Sequence, residues 1–267
     1  MNDLANFFER LAQTPAILVT VARVQGSGPR EVGAWMAVFA GHQVGTIGGG
    51  HLEWQVLAHA RAALAGAPLE SPQRHALGPS LGQCCGGVVH LHLQAVAQAD
   101  VPRLRGQLLA THHPLALFGG GHVGQALVRA LAPLPFALTW VDSRDGIFPT
   151  EVPPGVQCEH SDPVHHAVRD LVAGSAVLIM SFSHAEDLDV LAECLLRQRQ
   201  AQDLRWVGLI GSRSKWAIFQ HRLAARGFSE AECAQVTCPI GLAGITGKQP
   251  EVIAASVAAQ LLQVFAL

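Results

Sequence analysis

The sequence predicts an α/β protein of two unlike parts, an N-terminal α+β domain on antiparallel strands followed by a doubly wound parallel sheet. Three observations predict it. From Ala16 to Val96 the chain alternates short β-prone runs with glycine-rich breaks. From Leu115 onward it repeats strand, turn and helix, and its strands are almost continuously apolar, as strands buried on both faces must be. At the head of this second half Gly119, Gly121 and Gly124 form G-x-G-x-x-G between a predicted strand and a predicted helix, which makes the half Rossmann-like.

Taken in order, the first half reads AILVTVARV as a strand, QGSGPREVG as a turn, AWMAVFAGHQVGTIGGG as further strand and turn, and CCGGVVHLHLQAV as a last strand. One helix interrupts them, from Glu53 to Leu64, with apolar residues at helical spacing and Gly66 as its stop. Residues 1–100 form this domain, and 101–113, ending before Pro114, are the expected linker. Residues 114–267 follow as strand LALF and helix QALVRALAPL, strand FALTWVD, strand GSAVLIMSFS and helix DLDVLAECLLRQRQ, strand RWVGLIGS and helix KWAIFQHRLAARG, and a closing helix PEVIAASVAAQLLQVF.

Composition narrows the function. Of 267 residues, 49 % are hydrophobic and only 14 % charged, which excludes a disordered chain. The charge deficit implies a membrane segment, a large interior or an apolar surface. The stretch from Val252 to Leu267 is broken by Ser256, Gln260 and Gln263 and is shorter than the roughly 20 residues a bilayer needs, so it reads as a buried helix. The opening MNDLANFFERL has acids where a signal peptide carries positive charge, and a cytoplasmic protein without membrane contact is expected. A net charge of −2 gives no field for nucleic acid. Cys84, Cys85, Cys158, Cys194, Cys233 and Cys238 include no C-x-x-C pair, and neither a disulfide framework nor a structural metal is expected.

The glycine motif reports backbone geometry and a helix N-terminus that favours anions. Asp142, at the end of the next strand, stands where an acid would meet a ribose hydroxyl, and Arg144 could favour a phosphate instead. The other strand-to-helix turns of a parallel sheet share the same rim. They carry His184, Glu186 and Asp187, then Arg213 and Lys215, then Cys238 and Lys248. Glu186 and Asp187 read as acids complementing a helix dipole. Lys215 and Lys248, the two lysines of the chain, stand in Gly/Ser turns before helices, a position suited to anions.

In the first half, three glycine-rich turns, around Arg30, around Gly48, Gly49 and Gly50, and around Cys84 and Cys85, suggest a surface for a flat, phosphate-bearing molecule. Each is also explained singly as a hairpin turn. The adjacent cysteines are either two core residues or a thiol suited to soft metal and sulfur. With no tyrosine in the chain, a dehydrogenase using a Tyr-x-x-x-Lys pair is excluded, while a nicotinamide enzyme using His184 stays open.

The segments VQGSGPREVGAWM, GTIGGGHLE, LGQCCGG, LFGGGHVGQAL, WVDSRDGIFP, VGLIGSRSK and CPIGLAGITGKQPEVIAASVAAQLL, in this order from near Pro15 to the end, resemble the XdhC family, accessory proteins for maturation of xanthine dehydrogenase. The resemblance implies an N-terminal XdhC/CoxI domain and a Rossmann domain that bind the molybdenum cofactor, a molybdopterin with a phosphate and a dithiolene-held metal. It implies a carrier without catalysis of its own, which holds the cofactor while a cysteine desulfurase replaces one oxo ligand by sulfido and then delivers it to apo-xanthine dehydrogenase. The expected contacts are Cys85, as the molybdenum or sulfur contact, with Cys84, Arg30, Gly48, Gly49, Gly50, Gly119, Gly121, Gly124, Asp142, His184, Arg213, Lys215 and Lys248. The family's S-H-A-L-D turn is here S-H-A-E-D-L-D, so His184 carries over and the aspartate is offset. The alternative is an NAD(P)-dependent oxidoreductase resting on the glycine motif. Apolar patches for partners and for a second copy would account for the charge deficit that the parallel sheet leaves, so a homo-oligomer is expected.

Overall fold

A computed structural model describes residues 3–78, 86–109 and 112–267. The chain forms two compact units, Met1–Leu108 and Leu109–Leu267.

The first unit contains α1 (Asp3–Leu11), β1 (Ala16–Gln25), β2 (Trp35–Val38), β3 (Gln43–Gly45), α2 (Gly50–Leu64), β4 (Gln73–Ala76), β5 (Val88–Val96) and α3 (Val101–Leu109). Its five strands lie in the order β3-β2-β1-β5-β4, and every neighbour is antiparallel. Alternation along β1 decides the faces. Ile17, Val19 and Val21 pack under Leu52, Val56 and Ala60 of α2, while Leu18 points the other way, to Phe7, Phe8 and Leu11 of α1 and Leu104 of α3. The segment expected to be a linker is, through Leu108, helical and part of the first unit, anchored by the buried Leu104.

The second unit contains β6 (His113–Phe118), α4 (His122–Leu131), β7 (Phe136–Asp142), β8 (Gln157–His160), β9 (Ala176–Ile179), α5 (His184–Ala201), β10 (Trp206–Leu209), α6 (Arg213–Ala225), α7 (Glu230–Cys233), β11 (Val236–Thr237) and α8 (Pro250–Phe265). All strand pairs are parallel, in the order β11-β10-β9-β6-β7-β8. Both faces are covered. Leu115 and Leu117 of β6 pack with Leu127 of α4 and Leu261 of α8, and Ala116 and Phe118 with Leu191 of α5 and Phe219 of α6. Strand order reverses between β6 and β9, so the topological switch point, where such sheets open their ligand crevice, lies between the ends of these two strands. α8 buries one stripe, Ala254, Val257, Ala258 and Leu261, against the sheet, and no described helix is long and apolar enough to cross a membrane.

Candidate functional site

In the first unit, β1 runs into the turn around Arg30, β3 runs into Gly48–Gly50, and β5 begins just after Gly87. Because adjacent strands are antiparallel, these three ends share one edge of the sheet. The turns touch there. A Cβ at Gly48, whose φ is +120°, would overlap Pro29; one at Gly87 would overlap the carbonyls of Gln25 and Ser27. Arg30 donates from Nη1 to the Thr46 carbonyl at 3.4 Å, and its other donors hold Glu31 at 2.8 and 3.0 Å. Cys84 and Cys85 lie outside the described residues.

A residue that the motif reading passed over, Glu53, organises this edge. Its buried carboxylate accepts from Thr46 Oγ1 (2.5 Å), Ile47 N (3.0 Å), Gly49 N (3.0 Å) and Gln43 Nε2 (2.9 Å). Burial opposes its ionisation, but the hydrogen bonds outweigh burial and hold the carboxyl below its usual range. The Gly48–Gly50 turn, with three successive positive φ angles of 120°, 73° and 66°, is thus strapped to the first turn of α2. A Cβ at Gly49 would meet nothing, so that position is open to an approaching group. Beside it Trp54 is 65 % exposed and stacked on His51, with ring centroids 5.6 Å apart.

In the second unit the three fingerprint glycines have different reasons. A Cβ at Gly119 (φ +127°) would strike the Met180 carbonyl, and one at Gly124 the Gly119 carbonyl, so both glycines are demanded by packing of helix on strands. At Gly121, the N-cap of α4 with φ −70°, a Cβ would meet nothing. Packing leaves this position free for a ligand.

The acids of the rim are struts. Asp142 is 1 % exposed and accepts four hydrogen bonds: from Gly120 N at 2.6 Å and from Arg144 N, Nε and Nη2 at 2.9 Å each. Burial disfavours its charge, yet these donors hold the carboxyl below its usual range. Every lone pair is taken, and the expected ribose contact has no acceptor left. Glu186 accepts from Ser143 Oγ (2.7 Å) and Phe182 N (3.1 Å), tying the turn after β7 to the turn after β9. Asp187 accepts from Ser181 N (2.7 Å) and from Lys215 Nζ (2.7 Å), and Lys215 also donates to the Ile210 carbonyl (2.8 Å). Burial pushes the Asp187 carboxyl above its usual range, against the pull of Lys215. Three carboxylates therefore tie four rim turns in series, and Lys215 is a partner of Asp187 instead of a free anion-binding cation. The dipole reading of Glu186 and Asp187 omits these long-range partners.

Two family models match the chain: the XdhC Rossmann domain over residues 115–261 and the XdhC and CoxI family over residues 10–71. The first alone spans more than half of the chain. The chain belongs to the XdhC family. A relative, the uncharacterized protein YqeB of Escherichia coli strain K12, is 30 % identical over an alignment of 261 positions that covers 94 % of this chain and 43 % of the relative. The chain thus spans less than half of that relative's length. A crystal structure described as a xanthine dehydrogenase from Bacillus halodurans superposes with a TM-score of 0.75 at 21 % identity, covering 100 % of this chain and 96 % of that one, which shows the shared fold.

Within this XdhC-family chain the remaining expected residues sort by availability. His184 opens α5, edge-on to Phe219 at 6.2 Å and within electrostatic reach of Asp187. Arg213 and Lys248 are exposed and make no described hydrogen bond or ion pair. Lys248 follows Gly247 and Arg213 stands two residues beyond Gly211, and these glycines with Ile210, Ile240, Ile245, Thr246, Ile253 and Ser256 line an open pocket of about 150 Å³ beside β10. The four described cysteines all keep their protons. Burial pushes Cys238 up to about 11, with Lys215 opposing, and raises Cys158, Cys194 and Cys233 as well.

Proposed function

We propose that this protein binds the molybdenum cofactor as cargo, holds it while a cysteine desulfurase exchanges an oxo ligand for sulfido, and delivers it to apo-xanthine dehydrogenase. The observation that carries the reading is the convergence of the turn around Arg30, the Gly48–Gly50 turn and Gly87 at one sheet edge, with Cys84 and Cys85 shortly before Gly87 in the sequence. Glycines without side chains let backbone N–H groups approach a flat, phosphate-bearing molecule, and Gly49 leaves an open position for it. The raised thiols of Cys158, Cys194, Cys233 and Cys238 support assigning soft-metal or sulfur contact to Cys85, assisted by Cys84. The filled carboxylate of Asp142 weighs against the nicotinamide reading. On this reading the protein works in the cytoplasm, docks on the dehydrogenase and the sulfur donor, and pairs with a second copy.

Protein purified from cells that make the cofactor should carry it near one per chain by mass spectrometry. Cys85→Ala and Arg30→Ala should each reduce that retention severalfold without shifting Tm. Full retention in both variants would remove these residues from the site, and NAD(H) bound in place of a pterin would replace the reading.

A further inference from the structure

We infer that Phe182, seated on Arg144 at the switch point of the parallel sheet, is a stacking platform for a planar heteroaromatic ring. Phe182 is 65 % exposed in the turn after β9, the strand beside which sheet order reverses. A singly exposed apolar side chain is ordinary on a protein surface, and what sets this ring apart is the support beneath it. Two contacts hold it in place. Arg144 lies over one face, 4.5 Å from the ring centroid, and that guanidinium is itself clamped by Nε and Nη2 to Asp142. The Phe182 N–H donates to Glu186, and Glu186 also holds Ser143, next to Arg144. The exposed face is thus presented by a preorganised support, as aromatic platforms for flat rings require. The same clamp explains why Asp142 is spent internally. Its task is to aim Arg144 and, through Gly120 N, to hold the glycine turn on the other side of the switch point. The open Gly121 leaves room on that turn for the rest of the ligand.

The ring chemistry fits a pterin or a nucleotide base, each carrying a phosphate. Choosing the pterin deepens the cofactor reading above and rests on it. The test is a titration of the full-length protein with a metal-free pterin monophosphate, with AMP and with inorganic phosphate. Pterin monophosphate should bind, Phe182→Ala should weaken it about tenfold or more, and Phe182→Trp should keep affinity within about threefold while its indole fluorescence is quenched by the ligand. Because the side chain is exposed, circular dichroism and Tm of both variants should match the parent. Equal affinity in Phe182→Ala overturns the platform while leaving the cofactor reading standing. Binding of AMP alone, lost in Phe182→Ala, keeps the platform and removes the pterin. Affinity for either ring no better than for inorganic phosphate overturns the platform outright.

Discussion

Each unit presents a glycine-rich turn at the start of a helix, and each holds it with a buried carboxylate that accepts four hydrogen bonds, but the donors differ. Glu53 is satisfied by neutral groups alone, two backbone N–H groups, a hydroxyl and an amide. Asp142 takes two of its four bonds from the guanidinium of Arg144. A carboxylate held by neutral donors can only fix the turn around it. One held by a cation also places that cation, and Arg144 passes the placement on to Phe182. Asp187 repeats the second pattern with a more buried cation: the side chains of Lys215 and Asp187 are 13 % and 3 % exposed, against 32 % for Arg144.

Removing the cation should hurt most where both partners are out of water, at Lys215 and Asp187. Lys215→Met leaves Asp187 buried beside a single backbone donor, and we expect about 3–5 kcal/mol of lost stability in urea unfolding. Adding Asp187→Asn should restore part of it, and a double variant no better than the single would show that the pair is not what Lys215 contributes. In the neutral-donor unit, Glu53→Gln should cost about 1–3 kcal/mol, since the amide cannot accept all four bonds. Arg144→Met should cost less, about 1–2 kcal/mol, because two backbone donors to Asp142 remain and the arginine is part-exposed. A larger loss for Arg144→Met than for Lys215→Met would invert the comparison.

Glu53 and Asp142 set an acid limit. Their folded pKa values lie below the ordinary 4.5 of Glu53 and 3.8 of Asp142, so the stability they add is complete above those values. It is lost as pH falls through the lower folded values, and Glu53→Gln should flatten the fall of Tm below about pH 4.5. Smallest of all, Gly121→Ala should change stability by no more than about 0.5 kcal/mol, whereas Gly119→Ala should be plainly destabilising. A large loss for Gly121→Ala would mean that packing, and not a ligand, keeps that position small.

Much of the architecture was legible. The apolar strands from Leu115 onward and the alternation of AILVTVARV carry their burial pattern in the residues themselves. The elements left out were those whose signal is weak or local. β4 (QRHA) and β8 (QCEH) are polar edge strands recognisable only by their partners, β5 and β7. α1 was also left out of the prediction, although Leu4, Phe7, Phe8 and Leu11 have helical spacing and are buried. In the site, the glycine turns were legible, but the roles of Glu53 and Phe182 were not, because both matter through the neighbours the fold brings to them.

By itself the sequence determined the two-part α/β plan, the parallel sheet and its fingerprint turn, because hydrophobic period and glycine freedom are properties of short segments. It also placed the polar residues on the rim. Only the tertiary structure decided which of them are spent and which are open. Asp142 meets Gly120 across 22 residues, Lys215 meets Asp187 across 28, and Ser143 meets Glu186 across 43. A buried carboxylate takes whatever donors the fold brings within about 3 Å, and that choice is made in space, after the strands have paired.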